Sequence, residues 1–367
     1  MYKICKAQIK QGHDPYVYTG DYKFDSVLAS TIPQVKFKIL KSYFDKEGFS
    51  IMPKLPSVLE NEIEGFDIIH MHVFRTFQNL ILYFYCKKFN VPYVLDAHGA
   101  VPYYTRKGIL KRLFDKLWGK KLMQDAGLLI AETKVGVQEY LDCDPSLSPN
   151  KIKVISPPFD TDEFEKLPLK GRFRSRFQIP SDKKIIMFLG RVHHIKGNDF
   201  LIKGFSELCK IRDDIILSIV GSDDGHMQEC KELAAALKIY DRVLFTGFIA
   251  GTEKNEALID ADIVAQMSRQ EQGAWAPFEA VLCGTPIMVA GGTGSAEDVE
   301  RIDAGEIVQF GDVQDFAQTA NNILNNYDAA KLKTSNAKDY IERFMSMNAR
   351  ADEYLEAYNE AISNWNS

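Results

Sequence analysis

A chain of 367 residues is longer than one hydrophobic core sustains, and at roughly 150 residues per domain it predicts two domains. With 46% apolar and 26% charged residues it belongs with globular rather than disordered or fibrous proteins, and a net charge of −5 argues against general nucleic-acid binding. The longest apolar runs fall far short of the ~20 residues of a membrane-spanning helix. The opening MYKICKAQIKQG has Lys and Gln where a signal peptide has an apolar core, so the sequence predicts a cytosolic location.

In the first half, short apolar runs rich in β-branched residues alternate with helix-like stretches: DIIHMH from Asp67, VPYVLDA from Val91, GLLIAE from Gly127 and KIKVIS from Lys151. His70 and His72 project to the same side of their strand and could begin a metal site. With no third ligand evident in the sequence, they read as core or cleft histidines, and no metal is expected. Segment 106–122 carries Arg106, Lys107, Lys111, Arg112, Lys116, Lys120 and Lys121 against Asp115 alone, with Ile109, Leu110, Leu113, Phe114, Leu117 and Trp118 on one side. That pattern fits a helix lying on an anionic membrane surface, and it equally fits a surface helix packed on its own sheet.

After a Pro- and charge-rich passage around 157–183 the series restarts with KIIMFLG from Lys184, DIILSIVG from Asp214, RVLFTG from Arg242, ADIVAQ from Ala261 and TPIMVA from Thr285. Continuous apolar strands between amphipathic helices imply parallel strands covered on both faces, hence α/β, doubly wound sheets. Two such series predict two Rossmann-like domains, 1–165 and 166–345, with a cleft between them. Residues 346–367 read as a helix closing back on the first domain, with an apolar stripe of Ala351, Leu355, Tyr358 and Ile362. The six cysteines show no C-x-x-C pair and read as free buried thiols.

Ligands of open α/β sheets sit beyond the carboxyl ends of the strands. Those ends carry His98-Gly99, Gly190-Arg191, Gly221-Ser222, Gly247-Phe248 and the stretch from Gln266 to Glu279. Arg191 and Lys196 offer fixed positive charge for a diphosphate without a metal. Glu271 and Glu279 offer carboxylates for sugar hydroxyls, and Gly273, Ala274 and Pro277 between them predict a loop, holding Trp275, that enters a helix at about Pro277. Backbone N–H groups at such an entry suit phosphate.

LGRVHHIKGNDFLIKGF, LSIVGSDDG, RVLFTGFI and EQGAWAPFEAVLCGTPIMVAGG resemble, in content and order, the nucleotide-binding half of the family-4 retaining glycosyltransferases of the GT-B fold. KICKAQIKQGHDPYVYTG, FDIIHMH, VPYVLDAHG and ISPPFDTDEF are similar to landmarks of the other half, so the resemblance covers nearly the whole chain. It implies that Arg191 and Lys196 grip the donor diphosphate, that Glu279 holds the ribose hydroxyls, and that Glu271 lies near the anomeric centre of the transferred sugar. It also implies that His98 lines the donor sugar and that Gly221 and Phe248 lie near the nucleobase. Three departures stand out. Ala274 replaces a glycine frequent in the family, with Gly273 one place earlier; Ser156-Pro157-Pro158 lacks the asparagine that often follows the interdomain proline. The helix ending at Gly12-His13 follows Met1 at once, where the family has a strand and a glycine-rich turn before it. The resemblance implies transfer of a hexose from a UDP- or GDP-sugar to a glycan or lipid-linked acceptor in cell-surface polysaccharide or glycoconjugate synthesis, with no metal cofactor, at the inner face of the cell membrane. An epimerase or hydrolase of the same fold, or a nucleotide-sugar-binding chain without catalysis, would share these donor-site residues.

Overall fold

The computed structural model describes residues 1–46, 49–103 and 108–366. They divide into two compact units, Met1–Phe159 with Met345–Ser367, and Asp160–Phe344. Among the described residues no helix is long and apolar enough to cross a membrane.

The first unit holds a parallel pair, β1 (Tyr16–Gly20) and β2 (Lys36–Leu40), and a short hairpin, β3 (Phe44–Lys46) with β4 (Phe49–Ile51). Its four-stranded sheet runs β5 (Ile69–His72), β6 (Tyr93–Asp96), β7 (Leu128–Ala131), β8 (Ile152–Val154), all parallel. Alternation along the strands divides the two faces. Met71, Tyr93, Leu95 and Leu129 turn into one cluster, whereas Val94, Leu128 and Ile130 turn into another with Ile4, Tyr354, Tyr358 and Ala361. The second face is therefore covered by the opening helix, Tyr2–Lys10, and the closing helix, Met347–Trp365. The closing helix buries Met347, Arg350, Ala351, Tyr354, Ala357, Tyr358 and Ala361. Leu355 and Ile362 are only half-buried, so the buried stripe is rotated from the one the sequence suggests. Small Ala357 and Ala361 let the helix lie close to the strands, and apolar size alone misjudged which side faces inward.

The second unit is a six-stranded parallel sheet in the order β11 (Val243–Gly247), β10 (Ile215–Val220), β9 (Lys184–Leu189), β12 (Ile263–Gln266), β13 (Ile287–Ala290), β14 (Glu306–Val308). The chain builds outward from β9 to one side, then returns to lay β12 against its other edge. Every residue of β12 and β13 is buried, as expected for central strands covered on both faces. Phe200, Leu201 and Phe205 of the helix Asn198–Leu208 join Phe316 and Ala320 over this sheet in one apolar cluster. All six cysteines are free thiols, five of them buried and Cys209 half-buried.

The basic segment of the first unit is held down by its one acid. The helix Gly108–Phe114 passes through a wider turn, Asp115–Gly119, into the helix Lys120–Gln124. The Asp115 carboxylate, 1% exposed, takes two bonds from the Arg75 guanidinium, at 2.9 and 2.6 Å, and one from the Tyr103 hydroxyl at 2.6 Å. The same guanidinium donates to the carbonyls of Ala100 and Val101, at 2.6 and 2.8 Å. Arg106 and Lys107 lie outside the described residues. Ile109, Leu110, Leu113, Leu117 and Trp118 are exposed, so of the six apolar residues expected to pack inward only Phe114 does, half-buried with its ring beside Phe74; Asp115, Gly119, Leu122 and Met123 take the rest of that side. Asp115→Ala leaves a buried guanidinium unpaired and should destabilise the first unit by about 3–5 kcal/mol. A urea melt monitored at the unit's tryptophans measures this, and a loss below that range would show that Arg75 finds water.

Candidate functional site

β9 and β12 lie side by side at the point where the strand order reverses, so the loops leaving their carboxyl ends diverge and open a crevice between them. The loop after β9 carries Arg191 and Lys196, and the loop after β12 carries Glu271. Gly197 makes their approach possible. Its φ is +64°, and a Cβ there would stand 1.8 Å from the Met267 carbonyl oxygen, so the β9 loop touches the β12 loop backbone to backbone. Arg269 reinforces the contact: its N–H donates to Ile195 O at 2.8 Å, and its guanidinium reaches His194 O at 2.7 Å and both Asp199 oxygens at 2.8 and 2.5 Å.

Within this frame Lys196 Nζ donates to Glu271 Oε2. The Ser268 hydroxyl donates to the same oxygen at 3.2 Å and is itself held by the Gln266 amide at 2.9 Å. Both partners of the ion pair are mostly withdrawn from water, at 17% and 14% side-chain exposure, which strengthens their attraction. Glu279 sits elsewhere. It lies on the helix Trp275–Leu282 and pairs with Lys254 of the helix Gly251–Asp260 at 2.8 Å.

That helix begins at Trp275, two residues before the position suggested by Pro277, so Trp275 belongs to its first turn rather than to the loop. Ala274 caps it in an extended conformation, φ −100° and ψ 129°, and its N–H donates to Ser295 Oγ at 2.8 Å. A negative φ accepts a Cβ, so alanine replaces the family's glycine there without backbone strain. Gly273 sits one residue ahead of this cap, in the irregular stretch after Glu271. The cap has no side-chain bond to the helix's first N–H groups.

Arg191 is two-thirds exposed and pairs with Asp224 of the segment after β10. Gly221 also follows β10; a Cβ on it would stand 1.7 Å from Gly190 O, which explains why no side chain fits. Phe248, directly after β11, is 75% exposed, an aromatic face open to a planar ligand.

In the first unit, His98 follows β6 in a left-handed conformation, φ +46°. Its Nδ1 lies 2.9 Å from Glu132 Oε1 and 3.3 Å from Asp96 Oδ1, and its Nε2 lies 2.9 Å from His72 Nδ1. Burial opposes protonation of His98, but the Glu132 hydrogen bond and the Asp96 and Glu132 charges outweigh it and hold the pKa above the usual value. Burial pushes Asp96 up to about 6, and it holds His70 and His72 well below the ordinary imidazole value. Val73, next to His72, has φ +65°, a costly conformation for a β-branched residue and one that clusters at functional sites.

Sequence reasoning found the charged residues of the β9 and β12 loops. It did not find Lys254, Asp224, Ser268, Asp96 or Glu132. Asp96 had a signal, a charge closing the buried run VPYVLDA, and charged groups are almost never fully buried without a partner. Lys254 had none, since a lysine in an amphipathic helix reads as surface.

Residues 1–163 match the model of Glycosyltransferase Family 4, and residues 170–340 match that of Glycosyl transferases group 1. The D-inositol 3-phosphate glycosyltransferase of Mycolicibacterium smegmatis is 28% identical over 250 residues, covering 67% of this chain and 56% of that protein. The enzyme of the same name from Stackebrandtia nassauensis is 25% identical over 312 residues, covering 81% and 69%. The chain thus spans little more than half to about two-thirds of the length of these relatives. Among solved structures, the glycosyltransferase from Rickettsia africae superposes with a TM-score of 0.79 at 20% identity, covering 99% of this chain and 94% of that one. Anabaena HepE in complex with UDP and glucose gives 0.76 at 16% identity, covering 98% and 95%. Two family models in tandem over an α/β architecture of parallel sheets establish the lineage: the chain belongs to the family-4 glycosyltransferases of the GT-B fold.

Proposed function

We propose that the chain transfers a hexose from a UDP- or GDP-sugar to a hydroxyl of a glycan or lipid-linked acceptor, with retention at the anomeric carbon and without a divalent metal. The observation that carries this reading is the Lys196–Glu271 pair at the reversal of strand order, with the exposed Arg191 on the same loop as Lys196. The UDP complexes of the structural neighbour HepE support a nucleotide-sugar donor. The inositol-phosphate and 2-deoxystreptamine relatives support a hydroxylated acceptor, in keeping with their names.

Transfer breaks the bond between the anomeric carbon and the diphosphate oxygen and forms one to the acceptor oxygen. The acceptor proton passes to the leaving phosphate on the same face. Negative charge grows on the diphosphate as its bond to the sugar breaks, so cations fixed beside it accelerate the step. Lys196 has three donors and spends one on Glu271, which leaves donors for phosphate oxygen while its ammonium stays in place. Arg191, tied only to a surface aspartate among its described contacts, can turn its fork onto the second phosphate. Glu271, steadied by Lys196 and Ser268, accepts from hydroxyls of the transferred sugar, and Glu279 accepts from the ribose.

The same reading puts the first unit on an anionic lipid surface. With Asp115 withdrawn onto Arg75, the outward side of residues 108–121 presents Ile109, Leu110, Leu113 and Leu117 among Arg112, Lys116 and Lys121. Apolar side chains ringed by cations suit the interface between headgroups and acyl chains.

Glu279→Ala should weaken nucleotide binding, whereas Glu271→Ala should chiefly lower turnover, because ribose contacts serve ground and transition states alike and contacts at the anomeric centre tighten with developing charge. Steady-state kinetics on a responsive donor and acceptor pair separates the two, and a change in KM alone for both variants overturns the roles. Free sugar and nucleotide with no acceptor product would overturn transfer itself.

Donor titration by calorimetry should give the same affinity with and without a chelator. Loss of binding on chelation would contradict charge neutralisation by Arg191 and Lys196.

Replacing Arg112, Lys116 and Lys121 together by Gln should reduce sedimentation with anionic liposomes, each cation contributing about 1 kcal/mol at such a surface. Neutral liposomes should be indifferent, and added salt should erase the difference. Equal sedimentation of parent and variant would return the segment to ordinary surface.

A further inference from the structure

The carboxyl ends of β5 and β6 bring two histidines and a carboxylate to one point on the sheet face beneath the closing helix. His70 and His72, two apart along β5, point to the same face, and His72 stands opposite Asp96 in the β5–β6 ladder. One ligand atom from each of the three lies within 4.8 Å of the other two. We propose that His70, His72 and Asp96 bind a divalent transition-metal cation of the zinc class.

Two buried atoms in this group lack a hydrogen-bond partner: His70 Nε2 and Asp96 Oδ2, the latter on a carboxyl that is 1% exposed. A buried acceptor left unsatisfied is costly, and two converging ones are what a cation relieves. On each ring it is Nδ1 that is already engaged, which leaves Nε2 as the ligating nitrogen. The Tyr358 hydroxyl lies 2.9 Å from His70 Nδ1, and His98 Nε2 lies 2.9 Å from His72 Nδ1. Glu132 in turn holds His98 at 2.9 Å. A hydrogen bond on the far nitrogen is the usual companion of a metal-bound histidine, because it fixes the ring's orientation and makes the ligating nitrogen more basic.

The donor set decides the class of ion. Two imidazoles and one carboxylate suit zinc and its neighbours, with a fourth position left for water or a ligand oxygen, whereas magnesium and calcium prefer oxygen ligands throughout. The neighbouring group of Asp96, His98 and Glu132 also falls within 4.8 Å, but there His98 Nδ1 is already bonded to Glu132. The open atoms therefore favour the triad on β5 and β6. The ion would be held by residues of the first unit alone, whereas Arg191 and Lys196, the cations proposed for the donor diphosphate, belong to the second.

The test is calorimetric titration of zinc chloride into the full chain after chelation and dialysis. One saturable site per chain is expected, with no heat from magnesium chloride under the same conditions. His70→Gln, His72→Gln and Asp96→Asn should each weaken zinc binding at least roughly tenfold, and Tyr358→Phe, which removes no ligand, should weaken it by about 10–100-fold. Melting curves of each variant establish that it is folded. Should the variants not fold, the parent loaded with cobalt decides: visible absorption characteristic of nitrogen-ligated, four-coordinate cobalt supports the site, and the spectrum of the hydrated ion overturns it. Absence of saturable zinc binding overturns the proposal, as does unchanged affinity in the folded His70→Gln/His72→Gln double variant, which would place the metal at other residues, such as His194 and His226.

Discussion

Parallel strands deliver all their carboxyl ends to one edge of a sheet, and where the strand order reverses the loops on either side must part. In the second unit that happens between β9 and β12, and the site depends on it. Without the reversal, the loop bearing Arg191 and Lys196 would be carried away on the same side as the next connection. With it, the loop leans across onto the chain after β12 and is fixed there by Gly197 against Met267 and by Arg269 against Ile195, His194 and Asp199. Lys196 and Glu271 meet because the backbone beneath them has already met.

Both carboxylates of the Glu-x7-Glu element are balanced by lysines, Glu271 by Lys196 and Glu279 by Lys254, from different elements. Isolated, each would face a desolvation cost from its surroundings; the lysine beside each offsets that cost and fixes the carboxylate's orientation. Preorganisation of this kind would serve the proposed transfer, in which little covalent chemistry falls to the protein and most of the work is positioning charge.

Two groups of buried charge in the first unit differ in how far they are satisfied. Arg75 and Asp115 form a structural anchor in which the guanidinium's fork is filled by a carboxylate and two carbonyls. The histidine cluster differs in leaving atoms open, at His70 and Asp96, beside left-handed backbone at Val73 and His98. A fully satisfied network rigidifies, whereas the open buried atoms at His70 and Asp96 are what the proposed cation would satisfy.

The sequence by itself determined the local elements and the kinds of chemistry on them. The continuous apolar runs from Lys184, Asp214, Arg242, Ala261 and Thr285 became β9 to β13, because a strand covered on both faces must be apolar throughout. It also picked out Arg191, Lys196 and Glu271 in the loops beyond the strands and Glu279 on the helix that follows, since that end of an open parallel sheet is where ligands sit. Only the tertiary structure decided which of these groups meet. That Lys196 joins Glu271 while Glu279 takes Lys254 depends on two loops, and then two helices, bringing together residues 75 and 25 apart in the chain, which no periodicity records. The same holds for the closing helix, whose inward side is set by Ala357 and Ala361 lying close to the strands. It holds as well for His72, whose neighbour Asp96 is 24 residues away along the chain but directly across the ladder. Sequence fixes periodicity through local geometry; register between strands is set by packing, and packing brings remote charges within reach of one another.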